Sequence, residues 1–380
     1  MEIQLKLLEK THFFLVISMR KILHIFMTSL FTKDYIEMIC SNFENEEHSF
    51  LVYGENFSSY EKKSMIRYDN VIYAPQIDFF FNRNGVDLFL KQYTQIIVHG
   101  VFYYEIIDFF FEHREYIPLL TLYFWGGDKK PHKYWNEQQI KKYRWLIQNA
   151  AQIVTIIQED AKSIVDEYAP KGKMKVATYG EVLSEESVEL KFKNKSRKYP
   201  VNILVGNSAT ETNHHIKVFQ IIKKFALYDV LVHVPLAYGN KEYAQLVMEK
   251  GKKILGDKFV AYEELIEKEC YEEFLRKMDI AIFDLERQQA LGNIDFLLNS
   301  GCKVYLKEES ILDRFYRNEC KCVVYQTGDL EDLSFEEFIA FSETSARNNS
   351  VNIRSFFNTR KTAEEWKVIF EEESNEKNKT

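Results

Sequence analysis

The stretch from residue 201 to residue 240, VNILVGNSATETNHHIKVFQIIKKFALYDVLVHVPLAYGN, decides the fold. VNILVGNS reads as a strand running into a glycine-containing turn, TNHHIKVFQIIKKFA as a helix, and DVLVHVPLAYGN as a second strand and its loop. The same alternation continues outward. KEYAQLVMEKGKKILG is helical, KFVAYE a strand, YEEFLRKM a helix, DIAIFD a strand, NIDFLLNSG a helix, and KVYL a further strand. Strands that alternate with helices and carry loops at their ends build a doubly wound parallel sheet of the α/β class.

Upstream, from Lys21, short apolar runs recur: KILHIF, SFLVYG, NVIYAP, QIIVHG, LLTLYFWGG and QIVTIIQ. Runs so short and so rich in Ile, Val and Phe suit parallel strands covered on both faces. They predict a first α/β domain over residues 19–185, preceded by an N-terminal extension, 1–18. Residues 186–200 end in a polar, basic segment closed by Pro200, which is linker chemistry. The second domain follows over 201–345. Residues 346–380 carry apolar positions at helical spacing around Trp366, expected to pack back on the first domain, and end in the solvated run ESNEKNKT.

The 380 residues exceed one ordinary core and suffice for two. At 46% hydrophobic and 28% charged residues the composition is that of a soluble globular chain, with 23 Tyr and 30 Phe making it unusually aromatic. A net charge of −7 excludes a general nucleic-acid binder, which needs a dominant basic surface. Cys40, Cys270, Cys302, Cys320 and Cys322 are odd in number and scattered, so reduced thiols in the cytoplasm are expected. No apolar run reaches the roughly 20 residues of a membrane-spanning helix, and the opening segment lacks the features of a secretory signal. Any lipid contact is expected to be peripheral.

Open α/β sheets bind ligands at the carboxyl ends of their strands, where helix N-termini present free N–H groups and partial positive charge. LERQQALGN, Leu285 to Asn293, occupies such a place. Gly292 permits close backbone approach at a helix start, Arg287 suits a phosphate, and Gln288 and Gln289 suit sugar hydroxyls or a base edge; a plain surface turn is the other reading. Gly206, Asn207 and Ser208, with Asn213 and His215 just beyond, offer either a phosphate or sugar site or ordinary caps. Neither GxGxxG nor GxxxxGK[ST] is present. In the first domain His99 and Asp128 directly follow apolar strands, as candidate general bases or as structural hydrogen-bonders. Lys129, Lys130, Lys133, Lys141, Lys142 and Arg144, interleaved with Tyr134, Trp135, Tyr143 and Trp145, suit an anionic bilayer surface or a solvated helix face.

Together these segments resemble the bacterial 4-acetamido-4,6-dideoxygalactosyltransferases of enterobacterial common antigen synthesis, glycosyltransferase family 56. The matching pieces are VHG (98–100), FWGGD (124–128), ILVGNS (203–208), NHHI (213–216), VPLAYGNKEY (234–243) and RQQALGN (287–293), over about residues 95–306. The resemblance implies a GT-B architecture, two Rossmann-like domains facing a central cleft, with acceptor binding in the first and a TDP- or UDP-sugar donor in the second. It adds Pro235 and Tyr238 to the donor-binding set, and implies a polyprenyl-pyrophosphate-linked or other cell-surface glycan acceptor at the inner face of the cytoplasmic membrane. The carboxylate pair eight residues apart that is usual in GT-B donor loops is absent, since Ile294 lies eight after Glu286. The expected activity is transfer of a deoxy-amino hexose, or a related hexose. Arg287 and the N–H groups near Gly292 would receive the departing diphosphate, without a cofactor or metal, and Asp128, or else His99, would take the acceptor proton. A non-catalytic sugar-nucleotide or glycan binder and a nucleotide-sugar epimerase of the same fold are the alternatives.

Overall fold

The computed structural model describes residues 20–371, apart from 30–31, 45–46, 55–67, 75–76, 78–80, 82–84 and 180–199. The expected N-terminal extension and all of the linker but Pro200 lie outside the described residues, as does the end of the C-terminal tail.

The chain forms two compact units. In the first, β1 (Ile22–Met27), β2 (His48–Tyr53), β3 (Val71–Ala74), β4 (Gln95–His99), β5 (Leu120–Phe124), β6 (Gln152–Thr155) and β7 (Lys173–Val176) make one sheet in the order β3-β2-β1-β4-β5-β6-β7. Every pairing is parallel. The six apolar runs seen in the sequence are β1 to β6, β7 being an addition, and β4 and β5 are buried along their whole length because helices cover both faces.

In the second unit β8 (Val201–Val205), β9 (Val230–Pro235), β10 (Phe259–Tyr262), β11 (Ile280–Phe283), β12 (Lys303–Leu306) and β13 (Tyr325–Gln326) form a parallel sheet in the order β10-β9-β8-β11-β12-β13. That order reverses direction between β8 and β11, the switch point at which doubly wound sheets open a crevice for ligands. Helix α1 (His215–Ile222) follows β8, α2 (Lys241–Leu255) follows β9, α3 (Lys268–Arg276) follows β10 and α4 (Leu291–Asn299) follows β11. Val218, Phe219 and Ile222 of α1 pack with Val247 and Leu255 of α2 against Ile203, Val205, Val232 and Ile282 of the sheet.

Helix α5 (Glu343–Phe356) lies on α4, where the Ser350 hydroxyl donates to Asn299 Oδ1 at 2.9 Å. The second unit therefore runs on to Thr362, and the return to the first begins at Ala363 rather than at the 345–346 boundary expected from the sequence. Residues 157–162 also group with the second unit. From Ala363, helix α6 (Thr359–Glu371) is built into the first unit. Trp366 is fully buried beside Tyr35, His99 and Tyr123, and its indole N–H donates to the Thr178 carbonyl at 2.9 Å. All five cysteines are free.

Candidate functional site

Gly206 donates its N–H to Ile282 O at 3.0 Å, extending the β8–β11 ladder one residue beyond the strand, and then turns the chain with φ +69°. A Cβ at this position would lie 2.5 Å from His215 Nε2 and 2.7 Å from Asn213 Oδ1, so only glycine lets the loop fold onto the start of α1. Asn213 closes that loop. Its Oδ1 accepts from Asn207 N at 3.1 Å, and its Nδ2 donates to Ser208 O at 3.1 Å and Thr210 Oγ1 at 2.7 Å.

The loop after β9 is zipped to this one. Ala209 N donates to Tyr238 O and Asn240 N to Ala209 O, both at 2.8 Å. The result places Tyr238, half exposed, where its hydroxyl accepts from Asn207 Nδ2 at 2.7 Å. The loop after β11 arrives from the other side. Gln289 Nε2 donates to Asn207 Oδ1 at 3.2 Å, and Gln289 Oε1 accepts from the Thr212 hydroxyl at 2.9 Å. Three loops from three different strands thus meet on Asn207. Burial raises the Tyr238 hydroxyl above its usual range, opposed by hydrogen bonds from Asn207 and Ser208 and by the charge of Arg287 in the β11 loop.

Helix α4 starts behind Ala290, a non-glycine residue at φ +62°, so Gly292 and Asn293 stand in its first turn. Asn293 Nδ2 donates to the Tyr271 hydroxyl at 2.9 Å, and burial, with Tyr238 nearby, raises that hydroxyl well above its usual value. Gln288 is buried, and its Oε1 has no hydrogen-bond partner among the described residues. Pro235 ends β9 and is buried. His215 is buried and neutral, burial pushing its imidazole down to about 3. The structure therefore brings together Gly206, Asn207, Asn213, Tyr238, Arg287 and Gln289, with Asn293 tied to Tyr271, while Ser208 and His215 shape the turn from beneath.

The first-unit candidates stand differently. Asp128 is 2% exposed instead of open at a strand end. Its Oδ2 accepts from Val101 N and its Oδ1 from Trp125 N, both at 2.8 Å, so the carboxylate ties together the loops after β4 and β5. His99 is wholly buried, with Nε2 3.2 Å from His24 Nδ1 and Nδ1 3.3 Å from the Tyr179 hydroxyl. Burial holds it well below the usual imidazole range, hence neutral. His99 is the buried last residue of β4 and Asp128 is embedded in the packed turn after β5, a correction to the exposed setting the sequence suggested. The basic island is divided: Lys129 and Tyr143 are buried and Lys142 pairs with Asp108 at 2.5 Å and Glu112 at 2.8 Å, while Lys130, Lys133, Lys141 and Arg144 are exposed, Arg144 paired with Glu167. Tyr134 stays exposed.

Sequence reasoning passed over Thr212, Tyr271, His214 and Asp284. The signal for Asp284 was present, a lone acid ending an apolar strand. It is buried, accepts from Thr327 Oγ1 at 2.7 Å and Lys217 Nζ at 2.8 Å, and lines an open concavity of about 460 Å3 with Lys217, Lys307, Thr327 and Gly328. Burial works to raise its carboxyl, but Lys217, Thr327 and His214 outweigh that and hold it below the usual range.

Two Rossmann-like units with a loop cluster at the switch point of the second define the GT-B class of glycosyltransferases. Solved structures agree on the fold. A glycosyltransferase of Rickettsia africae superposes with TM-score 0.66 at 12% identity, over 93% of this chain and 98% of that one. Anabaena HepE in complex with UDP-glucose gives 0.64 at 9% identity, over 91% and 99%. A UDP-forming trehalose-phosphate synthase of Burkholderia xenovorans gives 0.63 at 10%, over 92% and 98%. Within that class, residues 95–373 match the family described as 4-alpha-L-fucosyltransferase, glycosyl transferase group 56, and the chain belongs to it. It is a glycosyltransferase. No helix among the described residues is long and apolar enough to cross a membrane.

Proposed function

We propose that this glycosyltransferase moves a deoxy-amino hexose such as 4-acetamido-4,6-dideoxygalactose, or a related hexose, from a thymidine- or uridine-diphosphate donor held by the second unit. The acceptor is a polyprenyl-pyrophosphate-linked or other cell-surface glycan, met at the inner face of the cytoplasmic membrane, with the first unit binding it. The reading is carried by the meeting of three loops on Asn207, which joins Tyr238 from the β9 loop and Gln289 from the β11 loop. Their amides and hydroxyl, with Arg287 alongside, are the groups that a sugar nucleotide's hydroxyls, base edge and diphosphate require. Support comes also from the family and from HepE, a structural relative that binds UDP-glucose.

In this reading Arg287 and the N–H groups at the start of α4 meet the diphosphate, where negative charge grows as the glycosidic bond breaks. Pro235 and Gly292 let the chain approach the ligand closely, Gln288 offers its buried Oε1, and Asn293 holds Tyr271. For the acceptor proton, Asp128 and His99 remain the candidates by position, and either requires a loop opening to reach a hydroxyl. The test is incubation with a panel of TDP- and UDP-sugars and a lipid-linked acceptor, watching for nucleoside diphosphate release and a glycosylated product. Release without an acceptor-linked product, or a product that stays on the nucleotide, overturns the transfer reading.

A further inference from the structure

His214 sits between the β8 loop and α1 with φ +49°, a left-handed conformation that non-glycine residues adopt only at a cost. The turn carries its ring to the end of β11. Nδ1 lies 2.7 Å from the main-chain carbonyl of Asp284 and 3.2 Å from its Oδ2. A carbonyl oxygen only accepts, so Nδ1 bears a proton and the tautomer is fixed. Nε2 then faces outward, 3.1 Å from Glu286 Oε1. A proton carried on Nε2 would be donated to that carboxylate.

The charged groups paired around the ring form one network. Asp284 and Glu286 come from the β11 loop; Lys217 of α1 binds Asp284 at 2.8 Å, and Lys307 after β12 stands 3.7 Å from Glu286. His215, the next residue, is neutral. Glu286 itself is exposed and one residue from Arg287. A buried carboxylate that orients one imidazole nitrogen while the other meets the reacting group is the arrangement by which enzymes position a proton-transferring histidine.

We propose that His214, held by Asp284, is a catalytic residue: its imidazolium donates the Nε2 proton to the departing diphosphate, which takes the place of Glu286 against the ring. This rests on the donor-site reading above. As the C1–O bond of the donor breaks, its electron pair stays on the phosphate oxygen and that oxygen takes the Nε2 proton. The acceptor oxygen bonds to C1, its proton passes to the acceptor-side base, Asp128 or His99, and from there to water, and water reprotonates His214.

The test uses the full chain and calorimetric titration with UDP and with TDP from about pH 5 to about pH 8, the span over which imidazoles titrate. A diphosphate that prefers the imidazolium binds more tightly at low pH and loses that advantage as pH rises. The nucleotide's own second ionisation, near pH 6 for phosphate esters, is cancelled by comparison with His214→Asn; asparagine tolerates the left-handed backbone. The expected result is that wild-type affinity falls at least tenfold further than that of His214→Asn across the range. Glu286→Gln, which removes the negative charge that the diphosphate must displace from the ring, provides a second arm and is expected to shift nucleoside-diphosphate affinity toward tighter binding at neutral pH. Superimposable pH profiles for wild type and either variant overturn the proton-donor role. A wild-type chain that binds neither UDP nor TDP at any pH overturns the donor-site reading itself.

Discussion

Gly206 illustrates how one residue sets the site. Its φ of +69° is one that alanine adopts only at a cost of about 1–2 kcal/mol. The added methyl would also overlap His215 Nε2 and Asn213 Oδ1, and overpacking of this kind costs on the order of 1–3 kcal/mol more. Gly206→Ala is therefore expected to lower stability and to weaken nucleoside-diphosphate binding together, read by thermal unfolding and calorimetry; an unchanged affinity would show that the β8 loop does not touch the ligand. Arg287→Ala should act on binding alone. Losing one charge-assisted hydrogen bond to the diphosphate weakens affinity by about 1.5–3 kcal/mol without a matching loss of stability. What the sequence revealed at this scale was residue type and place: Asn207, Tyr238, Gln289 and Arg287 all follow apolar strands. Their mutual partners were hidden, because Asn207 and Gln289, 82 positions apart in sequence, meet only when β8 and β11 pair. Asp128 misled for the same reason. Its place after a strand was legible, but the Val101 N–H that claims its carboxylate comes from the loop of a neighbouring strand.

Elements were more legible than their partners. Most strands announce themselves because burial leaves them largely apolar, though β7, KMKV, is broken by lysines and partly exposed and was not foreseen; the helices do so because α2, for instance, ends in Lys252 and Lys253 behind an Asn240 cap. Strand β13 was not foreseen. It is two residues long and half exposed, too short for any period to show. The same is true of the π-helical turn Phe315–Glu319, whose five-residue bonding leaves no mark on sequence spacing. For α6 the helical spacing around Trp366 predicted both the helix and its return to the first unit. Its anchoring is measurable. Trp366 is buried with its N–H bonded to Thr178, and Glu365 Oε2 accepts from Thr178 N at 2.9 Å in the same corner. Replacing a buried tryptophan by alanine costs about 3–5 kcal/mol. Trp366→Ala is thus expected to release α6, seen as faster hydrogen exchange at residues 363–371 and at Tyr35 and Tyr123. Exchange confined to position 366 itself would mean that the helix holds without its anchor.

At the scale of the whole molecule, five of the described histidines are held neutral by burial, and this sets how stability depends on pH. In the first unit His24 lies 3.0 Å from His48 and 3.2 Å from His99, and burial lowers all three, to about 4 for His48. Burial brings His233 to about 4 and His215 to about 3 in the second unit. In the unfolded chain each imidazole takes a proton below about pH 6.5, whereas in the folded state these five stay unprotonated until far lower pH. Folding then releases protons, so the stabilisation is complete above about pH 6.5 and is lost as pH falls through the folded values. Each such histidine removes about 1.4 kcal/mol per pH unit within that window. Carboxylates whose pKa is lowered by folding, such as Asp284, act in a different range, below about pH 4 where the unfolded chain protonates them. The two contributions can therefore be separated by pH. The urea midpoint is expected to fall steeply between pH 6.5 and pH 4.5, before carboxylate titration begins. His48→Gln should flatten that slope even if it lowers the midpoint at pH 7. A midpoint that holds constant from pH 7 to pH 5 would mean that these imidazoles are protonated in the fold, and that the His24–His48–His99 chain carries a charge its surroundings were built to exclude.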